Sequence, residues 1–490
     1  MSTREKTASS IFWTSFRDVF QRLMTFVVFL ILARLLEPED FGLVALASAF
    51  IVFVELFIRV GFAEAIVQRD ELEAGHMDTA FWLIFGIGVV LTLVSVALAG
   101  VVSRHFDYPE LASVLRWLSL TIVLISLTRI QEAILRRQFQ FRALAIRTLI
   151  AGFCGGAVGV VMAFSGMGVW SLVAQQLVEA SVGLVVLWGS SHWRPGLKVS
   201  NTYFRDLYGF GINMVGVQFM HFLDQQANRL IIGYVLGATS LGYYTIAQRL
   251  IVIVQQVIGK NVVAVLVRAF SRIQGNTEKL KSVFLNSSRL IALLQYPIFM
   301  FLAIAGPEVV QVVFGEKWAP SSGVIQFLSL AALFQSIIVF HHPLFKAVGK
   351  PEYALRVSVI KSVLATFLVL IFVHYGIEAA SVSVMFASML VVPVSFYLVD
   401  RIFKLDKVRF VKEMRAPIVG SFVLLALVVL LQPSFSTLLG DFFGLVFTTM
   451  TGFVVCAFSM WLVDRDLVLE ARDAFLAVAM RGKNRKAGIG

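Results

Sequence analysis

Charged side chains inside long apolar stretches are the residues of this sequence that could do chemistry. Asp18 and Arg22 lie four residues apart in the first such stretch, and Glu55 and Arg59 repeat that spacing in the second. Residues four apart share one face of a helix. An ionisable group that faces lipid costs at least about 2.5 kcal/mol, so it usually faces a cavity or a charged partner. These pairs therefore predict polar surfaces inside a membrane-embedded helical protein.

Cations outnumber acids at these positions, which favours an anionic ligand, because guanidinium groups bind phosphate oxygens through paired hydrogen bonds and stay charged. The cationic residues predicted to bind it are Arg17, Arg22, Arg59, Arg129, Arg229, Arg249 and Lys260. The polar side chains predicted to line the same cavity are His221, Gln225, Asn228 and Gln256. The acids that could couple binding to an ion are Asp18, Glu55, Glu179 and Asp224.

A structural alternative stays open for the same residues. Asp18–Arg22 and Glu55–Arg59 would then be neutralised pairs that only hold helices together. Arg17 and Arg22 would extend their head groups to the cytoplasmic interface, as long basic side chains near helix ends commonly do.

The elements that carry these residues are predicted to be membrane-spanning helices. Of 490 residues, 58% are hydrophobic and only 15% are charged, whereas a soluble domain carries about 25% charged residues. Apolar stretches recur from end to end, each long enough to cross about 30 Å of hydrocarbon as a helix. The predicted spans cover about residues 12–36, 41–66, 79–103, 111–135, 144–165, 168–190, 207–236, 239–267, 283–305, 321–346, 355–375, 377–400, 415–432 and 441–463.

The distribution of basic residues predicts the orientation of these fourteen spans. The two tails and every second loop together hold 28 Lys and Arg residues, and the intervening loops hold three or four. Because cytoplasmic loops carry the excess of Lys and Arg, both termini are predicted to be cytoplasmic. The net charge of +12 then comes from short loops that face anionic lipid head groups, which excludes nucleic acid as a partner. Residues 464–486 are predicted to form an interfacial amphipathic helix.

An internal repeat divides the chain. Residues 36–43 match 236–243 at an offset of 200, and residues 115–120 match 325–330 at an offset of 210. Six spans per repeat give both copies the same orientation, as in parallel-repeat transporters. The predicted fold is an all-α polytopic membrane protein with two six-helix lobes, 1–200 and 201–410, related by a pseudo-two-fold axis along the membrane normal. Residues 411–490 add two further helices and a basic amphipathic cytoplasmic tail, and the ligand cavity is expected between the lobes.

The remaining motifs favour structural roles. Gly152, Gly155, Gly156 and Gly159 lie inside a span and indicate close helix packing rather than a phosphate loop. The acids around Pro38 suit a helix N-terminus, and the pair His341-His342 suits a helix break or cavity rather than a metal site. No external loop exceeds about 17 residues, so we predict a transporter and not an enzyme, without cofactor or metal.

Five stretches resemble a known family: residues 32–42 (LARLLEPEDFG), 61–69 (GFAEAIVQR), 79–82 (TAFW), 136–145 (RRQFQFRALA) and 166–176 (GMGVWSLVAQQ). In these stretches the chain resembles Wzx-type flippases of the multidrug/oligosaccharidyl-lipid/polysaccharide (MOP) exporter superfamily, on the branch that includes colanic-acid and teichuronic-acid exporters. The likeness is densest in the N-terminal lobe and looser towards the C-terminus.

The resemblance implies a protein of the bacterial inner membrane that moves an undecaprenyl-diphosphate-linked oligosaccharide from the cytoplasmic to the outer leaflet. We expect it to act as a monomer. The implied process is alternating access, driven by an ion gradient or by the membrane potential, in lipopolysaccharide or exopolysaccharide biosynthesis. Membrane lipids and other glycan polymerisation and export proteins are the implied partners. The related lipid II flippases carry arginines in spans one, two and eight, where this chain has Arg17 or Arg22, Arg59 and Arg249.

Two other functions are weighed against this one. A cation-coupled drug antiporter of the same superfamily would have a tight acidic site in one lobe and fewer arginines. A membrane-embedded glycan polymerase or ligase would need a long external loop with a catalytic Arg or His.

Overall fold

The computed structural model describes residues 20–58, 66, 73–273, 275–404 and 406–469. Within these ranges, side chains are not described at 201, 204–217, 221, 257–269, 407 and 409. The predicted residues Arg17, Asp18 and Arg59 lie outside the described residues, as does most of the predicted amphipathic tail. Every regular element in the described part of the chain is a helix, which confirms the all-α prediction.

The helices follow one another with short connections. Their bounds are α1 (residues 20–35), α2 (Pro38–Glu55), α3 (Ala74–Phe106), α4 (Pro109–Arg137), α5 (Phe141–Phe164), α6 (Val169–Ser190), the segment Asn201–Ile273, α9 (Thr277–Ile304), α10 (Gly306–Val313), α11 (Ser321–Ile338), α12 (His341–Ala347), α13 (Pro351–Phe372), α14 (Ile377–Phe403), α15 (Lys407–Glu413) and the segment Arg415–Val463. Short 3₁₀ turns occupy Glu316–Trp318 and Val373–Tyr375.

Two glycines interrupt the long segments. Gly237 has φ 86° and Gly440 has φ 79°, a left-handed conformation that favours glycine because it has no Cβ. Gly237 separates α7 (residues 201–236) from α8 (238–273), and Gly440 separates α16 (415–439) from α17 (441–463). The hydroxyl of Tyr108 accepts a hydrogen bond of 2.9 Å from the backbone N–H of Ala238, so it caps the start of α8.

Ten helical segments of the described chain are long and apolar enough to cross a membrane. They include both interrupted segments, and α11 together with α12 forms one of them. The chain is therefore a multi-pass helical membrane protein, as the hydropathy pattern predicts.

The chain divides into two compact units, Met1–Ile246 and Ala247–Gly490. The division falls inside α8, beyond the domain boundary that the repeat predicts at residue 200. The start of α8 belongs to unit 1 because its first two turns pack against α2.

The glycine-rich stretch of α5 packs against two neighbouring helices of unit 1. A Cβ on Gly155 would crowd the backbone of Gln175 in α6, and a Cβ on Gly156 would crowd Val28 in α1. Small residues let helix backbones approach closely in a membrane. The prediction that this stretch serves helix packing is therefore confirmed.

A backbone-to-backbone crossing joins the starts of α2 and α8 inside unit 1. A Cβ on Gly42 would overlap the carbonyl oxygen of Ala238, and a Cβ on Gly242 would overlap the carbonyl oxygen of Pro38. Both glycines and both of their partners are related by the offset of 200 in the repeat. The two copies of this motif therefore meet each other through equivalent atoms.

The acidic sequence before α2 caps that helix, as its composition predicts. Pro38 is the first helical residue, and the side chains of Glu37 and Asp40 each accept a hydrogen bond from the other's backbone N–H. The bond from the Glu37 N–H to Asp40 Oδ2 is 3.0 Å long. This reciprocal pair satisfies two N–H groups that have no partner within the helix.

Unit 2 is built around α9, which packs against α11 and against the segment Arg415–Val463. Phe284 of α9, Phe345 of α12 and Leu398 of α14 meet in its hydrophobic core. Arg289 of α9 also contacts two acids at the ends of the α16–α17 pair. Its guanidinium lies 2.9 Å from Glu413 Oε2 and 2.5 Å from Asp464 Oδ2.

Candidate functional site

Unit 1 contains a polar cavity of about 340 Å³ among α2, α4, α5 and α6. Ser48 and Glu55 of α2 are seven residues apart and therefore lie on one face of that helix. Gln176 and Glu179 of α6 are three residues apart and share a face for the same reason. Glu55 is buried, with 6% of its surface exposed, and Glu179 is exposed. The polar lining residues are Ser48, Glu55, Thr121, Arg147, Thr148, Gln176 and Glu179.

Arg147 is the cation of this cavity. Its Nε donates to the carbonyl oxygen of Gly183 over 3.3 Å, and its Nη1 lies 3.8 Å from Glu132 Oε2. Glu132 also pairs with Arg136 at 2.6 Å. A Cβ on Gly183 would lie 3.3 Å from Arg147 Nε, so this glycine leaves room for the guanidinium between α5 and α6.

Unit 2 contains a second polar cavity, of about 410 Å³, among α8, α9, α11, α12 and α13. Its polar lining residues are Gln255, Gln256, Gln295, Gln335, Ser336, His342, Ser358 and Lys361. Ser358 and Lys361 are three residues apart and share one face of α13. Amides and hydroxyls thus dominate this lining, and no carboxylate belongs to it.

The break between α11 and α12 opens the wall of this second cavity. Pro343 has no N–H and cannot donate to the carbonyl of Val339, which is a cavity residue. His341 is buried and its Nδ1 lies 2.5 Å from Ser395 Oγ, whereas His342 lines the cavity. The prediction of a helix break or cavity role for this histidine pair is therefore confirmed.

Three of the predicted site residues line these cavities. Glu55 and Glu179 meet in unit 1, and Gln256 lies in unit 2. The side chains of His221 and Lys260 are not described. The other predicted residues of the described chain are not among the lining residues of either cavity: Arg22, Arg129, Asp224, Gln225, Asn228, Arg229 and Arg249. Their assignment to a binding site stays a prediction.

Arg147 and four amides, Gln176, Gln255, Gln295 and Gln335, are cavity residues that the sequence interpretation did not select. The sequence does contain a signal for Gln176, because this residue ends the family-like stretch 166–176 and lies three residues before Glu179. The glutamines of unit 2 stand on separate helices, so no spacing along the sequence connects them. Among the described residues, no group of three or more His, Cys, Asp or Glu side chains is placed to hold a metal ion.

Comparison with known protein families identifies the family of this chain. The model of a family described as polysaccharide biosynthesis proteins matches residues 31–323. The chain belongs to this family. The matched range covers all of α2 to α9, and therefore includes the whole lining of the unit 1 cavity.

Two relatives that are named for polysaccharide biosynthesis show how far the similarity extends. The chain is 26% identical to the lipopolysaccharide biosynthesis protein WzxC of Escherichia coli, over 74% of each chain. It is 30% identical to the succinoglycan biosynthesis transport protein ExoT of Rhizobium meliloti, over 70% of this chain and 69% of that protein. The resemblance to Wzx-type exporters is confirmed.

Solved structures share the fold of this family member. The lipid II flippase MurJ in an inward closed conformation matches with a TM-score of 0.73 at 14% identity, over 94% of this chain and 100% of that one. An inward-facing multidrug resistance transporter of the MATE family and MOP superfamily matches with a TM-score of 0.63 at 17% identity, over 78% of this chain and 94% of that one.

One family-like stretch fixes the connection between α6 and α7. The indole N–H of Trp82 donates to the carbonyl of Gly196 at 2.7 Å, and the N–H of Gly196 donates to Asp78 Oδ1 at 3.0 Å. The hydroxyl of Thr79 donates to the carbonyl of Lys198 at 3.2 Å. The stretch TAFW in this polysaccharide biosynthesis protein therefore holds the connecting segment 191–200 against the start of α3.

Proposed function

We propose that this protein is a flippase for undecaprenyl-diphosphate-linked oligosaccharides in polysaccharide or lipopolysaccharide biosynthesis. The observation that carries the proposal is a polar cavity within each of two apolar helical units, in a chain of the polysaccharide biosynthesis family. Polar side chains at membrane depth mark pathways for polar cargo, because they are costly where they face lipid. The protein would act as a monomer, by alternating access, without chemical conversion of the cargo.

The proposal includes a membrane architecture of fourteen spans. The ten apolar segments become twelve helices when both glycine-interrupted segments count as two, and α1 and α2 complete the set. Both termini would lie in the cytoplasm of a bacterial cell, because the basic residues concentrate in the two tails and every second loop. Two six-helix lobes, with α16 and α17 as an addition, remain the proposed organisation.

The cavity in unit 1 suits coupling to an ion. Glu55 and Glu179 supply two carboxylates, and Arg147 supplies a guanidinium in the same lining. A proton or a small cation bound at the carboxylates would neutralise part of their negative charge and weaken their attraction to the guanidinium. The effect would be large, because charges interact strongly where water is scarce. The predicted partners Asp18 and Asp224 would act in the same exchange.

Mass spectrometry of the lipid that copurifies with the full-length chain tests the proposed cargo. We expect a bound polyprenyl diphosphate that carries an oligosaccharide when the protein is extracted gently from cells making the glycan. Cells that lack the first glycosyltransferase of that glycan provide the control, and protein from them should carry no such lipid. A small cationic drug in place of the lipid would favour the antiporter alternative and contradict the proposal.

Arg59 and Arg249 test the predicted cationic contacts. Arg59→Gln and Arg249→Gln should each reduce glycan export at least tenfold, since a charge-assisted hydrogen bond to phosphate contributes about 1.5–3 kcal/mol. Export is measured as surface glycan per amount of membrane-inserted protein. Arg272→Gln, at the exposed end of α8, is the matched control. Wild-type export by both single variants and by the double variant would rule out this role.

The glycan polymerase or ligase alternative requires a large external catalytic segment. Between α9 and α11 the chain has only residues 305–320, which contain α10 and one 3₁₀ turn. The two relatives compared above are named for biosynthesis and transport, which also favours export over polymerisation.

A further inference from the structure

The amide-lined cavity of unit 2 has a composition unlike that of unit 1. Gln255, Gln256, Gln295 and Gln335 converge there from α8, α9 and α11. Lys361 and His342 are its ionisable residues. A diphosphate carries several negative charges, so its binding site is expected to contain more cations than this lining has. Neutral amides instead suit uncharged polar groups, with which they form hydrogen bonds.

Gln295 gives the decisive observation. Its side chain lines the cavity and is only 3% exposed, yet it forms no hydrogen bond with any described residue. Gln255 is half-buried and likewise forms none within the described chain. Both amides face the cavity and have free donor and acceptor groups, so a ligand or water in the cavity is expected to satisfy them.

Sugar hydroxyls match this lining in both size and chemistry. Each hydroxyl donates and accepts hydrogen bonds, and each glutamine amide does the same. Ser336 and Ser358 add two hydroxyls to the wall. A volume of about 410 Å³ lies within the range of small-molecule sites, about 300–1,000 Å³.

We infer that the unit 2 cavity binds the sugar hydroxyls of the cargo through Gln255 and Gln295. This inference rests on the proposed function, and it deepens that function by separating recognition of the glycan from recognition of the diphosphate. Gln335 is already engaged, because its Nε2 donates to Ser388 Oγ at 3.1 Å. It therefore positions the α11 wall against α14.

Binding of two defined lipids to the purified full-length chain in nanodiscs tests the inference. The probes are undecaprenyl diphosphate and undecaprenyl diphosphate that carries one hexose. Wild-type protein should bind the hexosylated lipid more tightly, by about threefold to tenfold for each amide that engages the sugar. Gln255→Leu and Gln295→Leu should lose this preference and keep the wild-type affinity for the unglycosylated lipid.

Gln432→Leu is the matched control, because Gln432 is a buried glutamine of α16 outside the cavity. It should keep the preference for the hexosylated lipid. The thermal unfolding midpoint of Gln295→Leu should not fall, since the replaced amide has no described partner in the protein.

Each other result contradicts the inference in a distinct way. Equal binding of both lipids by wild-type protein would show that the cavity does not recognise sugar, while the flippase proposal stands. A parallel loss of both lipids in Gln255→Leu and Gln295→Leu would assign the cavity to the diphosphate. Failure of wild-type protein to bind either lipid would refute the proposed function itself.

Discussion

Gly42→Ala and Gly242→Ala should each lower the stability of the protein by about 3 kcal/mol, the upper part of the usual range for overpacking. The new methyl group would overlap a backbone carbonyl, of Ala238 in the first variant and of Pro38 in the second. A backbone carbonyl cannot rotate away as a side chain can, so the starts of α2 and α8 would have to separate. Thermal unfolding of the purified protein measures the loss, and glycan export should fall with it.

Gly86→Ala provides the control for this pair. Gly86 lies inside α3, and a Cβ there would have nothing within 4 Å. Alanine is a better helix former than glycine by about 0.8–1.0 kcal/mol, so Gly86→Ala should keep or raise the unfolding midpoint. Wild-type midpoints in both Gly42→Ala and Gly242→Ala would mean that the crossing is looser than the structure shows.

Arg289→Gln should cost about 3 kcal/mol, because it removes the guanidinium that pairs with two acids of low exposure. Arg289 is 15% exposed and its partner Asp464 is 13% exposed, while Glu413 is 26% exposed. Glu413 precedes α16 and Asp464 follows α17, so one guanidinium ties both ends of this helix pair to α9. We expect a lower thermal unfolding midpoint and faster proteolysis near residues 404–414.

Arg136→Gln is the matched control for Arg289→Gln. Arg136 also pairs with an acid, Glu132, but 54% of its side chain is exposed. Exposed pairs contribute about 0–1 kcal/mol, so this variant should unfold close to the wild-type temperature. Similar midpoints for the two variants would show that the Arg289 contacts add no more than a surface ion pair.

The two predictions concern different parts of the fold. The Gly42–Gly242 crossing fixes two helix starts that the repeat relates, and both helices also carry residues of the cavity linings. The Arg289 contacts fix α16 and α17, which belong to neither lining, to α9, which carries Gln295 of the unit 2 lining.

The sequence alone determined the elements of this protein. The apolar stretches predicted the helices. The start of α2 was predicted from Glu37, Pro38 and Asp40. The glycines of α5 indicated close packing, and the repeat located Gly42 and Gly242 as equivalent positions. These signals are local: a helix start depends on the four N–H groups that need partners, and membrane insertion depends on the length of an apolar run.

Only the tertiary structure decided which polar residues meet. Glu55 and Glu179 were recognisable as acids inside spans, but their cavity also needs Arg147 from the start of α5. Gln255, Gln295 and Gln335 stand on three helices and become neighbours through packing. In a membrane the lipid-facing and protein-facing sides of a helix are equally apolar, so hydropathy does not fix the rotation of a helix about its axis. That rotation, set by small residues and backbone contacts, determined the two cavities.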